Sequence, residues 1–117
     1  MNTRAKGNAA ERLAKAELEA SGHLVERALA TGTGSWTTHY DYFGAFDLIA
    51  INPKCVRFIQ VTAGRDVSGK RKKIDALEKM LPAIMGVSYE VHRYCGKRGG
   101  WRRWVRGGGA AKWFEVK

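Results

Sequence analysis

Three side chains in this sequence are of the right types to share one cation. Asp47 interrupts the apolar run Phe46-Asp47-Leu48-Ile49-Ala50-Ile51, where an ionised carboxylate is costly unless it is paired or bound to a cation. Gln60 follows in a second apolar run, between Ile59 and Val61, and Glu11 lies midway along an Ala-, Glu- and Lys-rich stretch near the start. A carboxylate, an amide oxygen and a second carboxylate make a hard, oxygen-rich donor set suited to Mg2+ or Mn2+. Such an ion polarises a phosphate, lowers the pKa of a bound water and stabilises a leaving oxygen, which is the chemistry of phosphodiester hydrolysis. Thr62, two residues beyond Gln60, adds a hydroxyl that can hold a water. Each residue also has a plainer role open to it. Asp47 can cap a turn or pair with an arginine, Glu11 can be a solvated helix acid, and Gln60 can simply bond the backbone.

The elements that must position these residues are legible in order. Asn2 or Thr3 can cap a first helix running to about Ala20, with Ala5, Ala9, Leu13, Ala16 and Ala20 at helical spacing along one face. Ser21-Gly22 ends it, with Gly22 as a left-handed cap. His23 to Ala30 alternates as a first strand, and Thr31 to Thr38 forms a polar, glycine-containing loop. Phe46 to Ile51 and Val56 to Thr62 form a strand pair about the turn Asn52-Pro53-Lys54-Cys55. That short turn brings Asp47 near Gln60, and strand alternation lets both share a face with Thr62. Asp41 is either an auxiliary ligand or, more simply, a turn former with Gly44. Ser68 is expected to cap a second helix carrying the apolar stripe Ile74, Leu77, Leu81 and Ile84, with Pro82 kinking or shortening it. Val87 to Tyr94 reads as a fourth strand, and Trp101 to Val105 with Trp113 to Val116 as a terminal hairpin.

Charge points to the partner. The chain has 21 Lys and Arg against 11 Asp and Glu, a formal net charge of +10. Ten of those 21 cations fall in two short windows: Arg65, Lys70, Arg71, Lys72 and Lys73, then Lys97, Arg98, Arg102, Arg103 and Arg106. Clustering of this kind favours a polyanion, and nucleic acid above a membrane surface, since no basic helix has an opposed large apolar face. Lys70 to Lys73 in the first turns of a helix oppose its dipole, and a bound phosphate would supply the missing counter-charge. No apolar run approaches the about 20 residues of a membrane span, and the polar start does not read as a secretory signal. Cys55 and Cys95 form no metal-ligand pair and read as partly buried thiols. His23, His39 and His92 lack zinc spacing. Trp36 in the glycine loop is suited to stack on an unpaired base, whereas Trp101, Trp104, Trp113 and Phe114 read as hairpin packing.

Arg4-Ala5-Lys6-Gly7 followed by Glu11, with Phe46-Asp47-Leu48-Ile49-Ala50 and Phe58-Ile59-Gln60-Val61-Thr62, resembles the archaeal-type Holliday junction resolvases of the PD-(D/E)XK nuclease superfamily over roughly residues 4–85. The resemblance implies a single α/β (α+β) domain over residues 1–117. Its restriction-endonuclease-like αβββαβ core would span about 3–94 as a mixed sheet flanked by helices, with the C-terminal β-hairpin over about 97–117. It implies a Mg2+-dependent (or Mn2+-dependent) endonuclease acting as a homodimer on branched four-way DNA. Glu11, Asp47 and Gln60 would be metal ligands, and Arg4, Lys6, Arg65, Lys70, Arg71, Lys72 and Lys73 the DNA contacts. The third element departs from the family: Gln60-Val61-Thr62 stands where it has E-x-K, so an amide replaces an acid and a hydroxyl replaces the lysine. Lys70, Lys72 and Arg57 are the cations available to reach in instead. The rival expectation is a DNA-binding module that keeps the fold without cutting. The expected setting is cytoplasmic, with a nucleoid-associated or phage-encoded protein in a host cell equally compatible.

Overall fold

The computed structural model of the chain describes residues 3–28, 30–31, 38–39, 41–107 and 112–116, with side chains over 7–28, 41–107 and 112–116. Helix α1 (Thr3–Ala20) leads into strands β1 (Leu24–Arg27), β2 (Ala30–Thr31), β3 (Thr38–His39), β4 (Leu48–Asn52) and β5 (Cys55–Thr62). Helix α2 (Val67–Asp75) and a 3-10 turn (Glu78–Met80) precede β6 (Val87–Tyr94), the short α3 (Gly96–Gly99), β7 (Trp101–Gly107) and β8 (Phe114–Val116). The result is a mixed α+β fold. Six strands form one sheet in the order β1-β4-β5-β6-β7-β8, antiparallel throughout except between β5 and β6, while β2 and β3 pair separately.

Local chemistry explains the turns. Asn52 Oδ1 accepts from the N–H groups of Lys54 and Cys55, both at 2.9 Å, which closes the β4–β5 hairpin. A parallel neighbour cannot be reached by a hairpin, so β5 and β6 need a crossover, and α2 supplies it. Gly22 ends α1 at φ +96°, the left-handed cap expected from its position. Gly86 enters β6 at φ +87° with Lys54 O only 3.0 Å from where a Cβ would stand, so a side chain there would be both strained and crowded. The terminal hairpin β7–β8 forms, and β7 pairs along β6, extending the main sheet.

Alternation along β5 divides the core. Ile59 and Val61 join Ala10, Ala14, Leu18, Val25, Leu48 and Ala50 under α1, while Phe58 joins the cluster of Phe46, Ile74, Tyr89 and Val91 under α2. Here α1 differs from expectation. Its buried stripe is Ala10, Ala14 and Leu18, and Ala9, Leu13, Ala16 and Ala20 face solvent. Alanines lie on several faces of this helix, so their spacing does not single one out. Burying small residues lets the helix lie close to the sheet and turns Glu11 inward.

Helix α2 differs too. Asp66, not Ser68, caps it, accepting from Gly69 N at 2.9 Å. The helix ends at Asp75, so the stripe stops at Leu81 and Ile84 is exposed. Pro82, which cannot donate to a helical bond, follows the 3-10 turn, and its carbonyl accepts from Tyr89 OH. This short helix also reverses the dipole argument. Lys72 and Lys73 stand in its last turn, where cations are favourable, and the Asp66 carboxylate already sits at its N-terminus.

Candidate metal centre and basic surface

Asp47 sits where β4 has not yet begun. Its N–H donates to Ile59 O at 2.9 Å, as a ladder residue would, but its side chain takes the next ladder position. Oδ2 accepts from Val61 N at 2.8 Å and from Gln60 Nε2 at 2.9 Å. The loop before it folds back on itself through reciprocal bonds between Tyr42 and Phe46, with Phe43 at φ +56° and Gly44 at +71°. Gly44 N donates to Asp41 O at 3.1 Å, so Asp41 forms the expected turn. The same turn brings the Asp41 carboxyl close enough to the Asp47 carboxyl to raise its pKa.

The electrostatics follow from this packing. Asp47 is buried, and its pKa is pushed up to about 9. Desolvation is the largest cause, followed by the neighbouring Asp41 carboxyl and the negative charge of Glu11, against which the Val61 N–H acts weakly. Asp47 therefore holds a proton at neutral pH in the ion-free protein. A bound cation would displace that proton.

The other predicted residues are less free than their sequence suggests. Glu11, on the sheet-facing side of α1, pairs with Arg27 Nη2 of β1 at 3.3 Å, a partner with no local sequence signal. Gln60 presents its amide nitrogen to Asp47, with a second, longer bond to Val61 O at 3.4 Å. Ligation through Oε1 requires rotating that amide. Thr62 is buried, and its hydroxyl oxygen accepts from Gly64 N at 3.0 Å, closing the turn after β5. Arg57 cannot reach in, because Glu90 holds it. Among the described residues, no three His, Cys, Asp or Glu side chains stand close enough together to hold a metal as they are. The donor set nevertheless fits a divalent cation in kind: the carboxyls of Asp41 and Glu11 lie near enough to raise the Asp47 pKa, and Gln60 is bonded to Asp47.

The basic surface is partly as expected. Arg65, Lys70, Arg71, Lys72 and Lys73 make no side-chain ion pair among the described residues, and Arg65, Lys72 and Lys73 are exposed. The side chains of Arg4 and Lys6, and all of Trp36, lie outside the described residues. In the second window Lys97 and Arg98 are exposed on α3, but Arg102 forks onto Glu115. Arg106 is buried against Asp75 and Glu78 and leaves the surface altogether. The tryptophans pack: Trp101 Nε1 donates to Glu17, Trp113 Nε1 to Asp75, and Trp104 joins the α2 core. Cys55 and Cys95 are free, partly buried thiols.

A second buried carboxylate went unread in the sequence. Glu90 of β6 accepts from Arg57 Nε and Nη2 at 2.8 Å each and from Ser88 Oγ at 2.6 Å, and lies 2.7 Å from His92 Nε2. These partners outweigh burial and hold its carboxyl well below the usual carboxylate range. The only sequence signal was two polar residues, Glu90 and His92, alternating within an apolar strand. No protein-family model, curated protein or solved structure matches the chain. Among the described residues, no helix is long and apolar enough to cross a membrane.

Proposed function

We propose that this chain is a metal-dependent, structure-selective DNA endonuclease with a restriction-endonuclease-like core, of Holliday junction resolvase type. The observation that carries the reading is Asp47, a buried carboxyl kept protonated beside Asp41 and Glu11, with no cation bonded to it among the described residues. In this reading Asp47 and Asp41 hold a Mg2+ or Mn2+ ion, Gln60 contributes its carbonyl oxygen and Glu11 completes the negative charge. The ion supplies Lewis-acid polarisation of a phosphate and an activated water. The chain's own residues do the positioning. The Val61 N–H fixes one Asp47 oxygen, the Gln60 amide turns from Asp47 to the ion, and the Thr62 hydroxyl stands near enough in sequence to orient a water.

Arg65, Lys70, Arg71, Lys72 and Lys73 hold the phosphate backbone beside that centre, with Arg4 and Lys6 as further contacts. A two-fold homodimer suits cleavage of opposed strands at a four-way junction. The test is nicking of a labelled synthetic four-way junction in Mg2+ or Mn2+. The native protein should cut it and prefer it to linear duplex, and Asp47→Ala should still bind but reduce cutting to background. Preserved cutting by the variant would remove Asp47 from the site. Neutralising Lys72 should lower the salt slope of binding by about one unit, whatever the DNA sequence.

One specific observation favours a second reading, a DNA-binding module that does not cut. No lysine stands in the Gln60-Val61-Thr62 element, and its hydroxyl oxygen already accepts a backbone bond. Tight junction binding with no nicking in either metal would select it.

A further inference from the structure

On the α1 side of the sheet a cavity of about 430 Å3 opens between α1 and strands β5 to β8, and none of the proposed cation ligands lines it. Its walls include Glu17, Arg57, His92, Trp101 and Arg103. Strand register sets His92 of β6 directly opposite Arg103 of β7. His92 is 2% exposed, with the edge of its ring against Trp101.

The hydrogen bonds determine which ring nitrogen is available. Glu90 stays ionised and can only accept, so His92 Nε2 carries the hydrogen of their 2.7 Å bond. Burial lowers the His92 pKa despite Glu90, with the Arg103 and Arg57 cations acting in the same direction as burial, so the ring is neutral at pH 7. Nδ1 therefore keeps its lone pair, and among the described residues it bonds to nothing. Arg103 makes no ion pair among the described residues, and its guanidinium lies 5.9 Å from the centre of the Trp101 ring. Arg57 is spent on Glu90, and Glu17 on the Trp101 N–H.

An imidazole acceptor in the cavity wall, beside a guanidinium without an ion pair among the described residues, is half of a recognition site. It asks for a ligand that is anionic towards Arg103 and donates a hydrogen to His92. A monoprotonated phosphate has both an anionic oxygen and a P–OH, whereas a carboxylate or sulfate has no hydrogen to give. We propose that this cavity binds a phosphate monoester group, with His92 Nδ1 accepting from its P–OH and Arg103 holding its anionic oxygens. The group comes either from a free mononucleotide or from the phosphorylated end of a DNA strand. The site does not depend on the nuclease reading.

The experiment follows the His92 ring nitrogens by NMR in the full chain labelled with 15N-histidine. A deoxynucleoside 5′-monophosphate should shift Nδ1 saturably at millimolar concentration or below, and sulfate should act at least tenfold more weakly. Arg103→Gln should weaken the response at least tenfold while the ligand-free ring keeps the pattern of a neutral imidazole protonated at Nε2. A 5′-phosphorylated oligonucleotide that moves His92, where its 5′-hydroxyl counterpart does not, assigns the site to DNA ends. A response to the mononucleotide alone assigns it to free nucleotides. No response to either phosphate, an equal response to sulfate, or an unchanged response in Arg103→Gln would overturn the proposal.

Discussion

Asp47 and Glu90 are both buried carboxylates on one sheet, and the chain treats them oppositely. Glu90 meets four donors, among them a bidentate arginine, and its pKa falls. Asp47 meets a backbone N–H, an amide and two further acids, and its pKa rises to about 9. The difference is not burial, which raises both, but the supply of positive charge. Glu90 has its cation built in through Arg57 of the adjacent parallel strand. Asp47 has none among the described residues, and Arg27 is paired with Glu11. A sheet that places an arginine on one buried acid and leaves the other within the field of two further acids holds a structural carboxylate and a candidate ligand.

The largest expected effect separates the two in function. Asp47→Asn should abolish junction nicking in Mg2+, whereas a variant of Glu90 that still folds should retain it. Stability should run the other way. Glu90→Gln leaves Arg57 partly buried and poorly paired and should cost about 3–5 kcal/mol in urea denaturation, while Asp47→Asn should not destabilise the ion-free protein. A loss of that size at Asp47 instead would break the contrast.

The pH dependences should also have opposite signs. The folded state keeps the Asp47 proton up to about pH 9, whereas the unfolded chain loses it near its ordinary value of 3.8. The folded protein thus binds more protons across that window, and native stability measured in EDTA should decline as pH rises through it. Asp47→Asn should flatten this decline. Glu90 contributes stability that is fully present above its unfolded value of 4.5 and is lost as pH falls below it. The smallest effect sharpens the comparison from the Glu11 side. Arg27→Gln removes a competing cation and should tighten Mn2+ binding by up to about fivefold, since a partly exposed pair is worth about 1 kcal/mol or less.

Much of this was legible before the structure. The order helix, three strands, helix, strand holds for the main sheet, and the Asp47–Gln60 contact followed from one short turn, since both signals are local; the separate β2–β3 pair was not legible, and the strand expected over His23 to Ala30 ends at Arg27. The inward face of α1 was not legible, because alanine fits any face and only the facing sheet decides. Helix α2 is capped two residues earlier than expected, at Asp66, and stops at Asp75, well before Pro82. Arg27 and the Arg57–Glu90–His92 network depended on contacts between distant elements, above all the parallel β5–β6 pairing that sets Arg57 against Ser88. No single-strand pattern carries that register.

The most direct test of the account is calorimetric titration of Mn2+ into the ion-free protein at pH 7.5, in buffers of different ionisation enthalpy. The account predicts saturable binding with release of about one proton per ion, since the ion displaces the proton held at Asp47, and loss of both in Asp47→Asn. Binding without proton release, or the same isotherm in the variant, would contradict it.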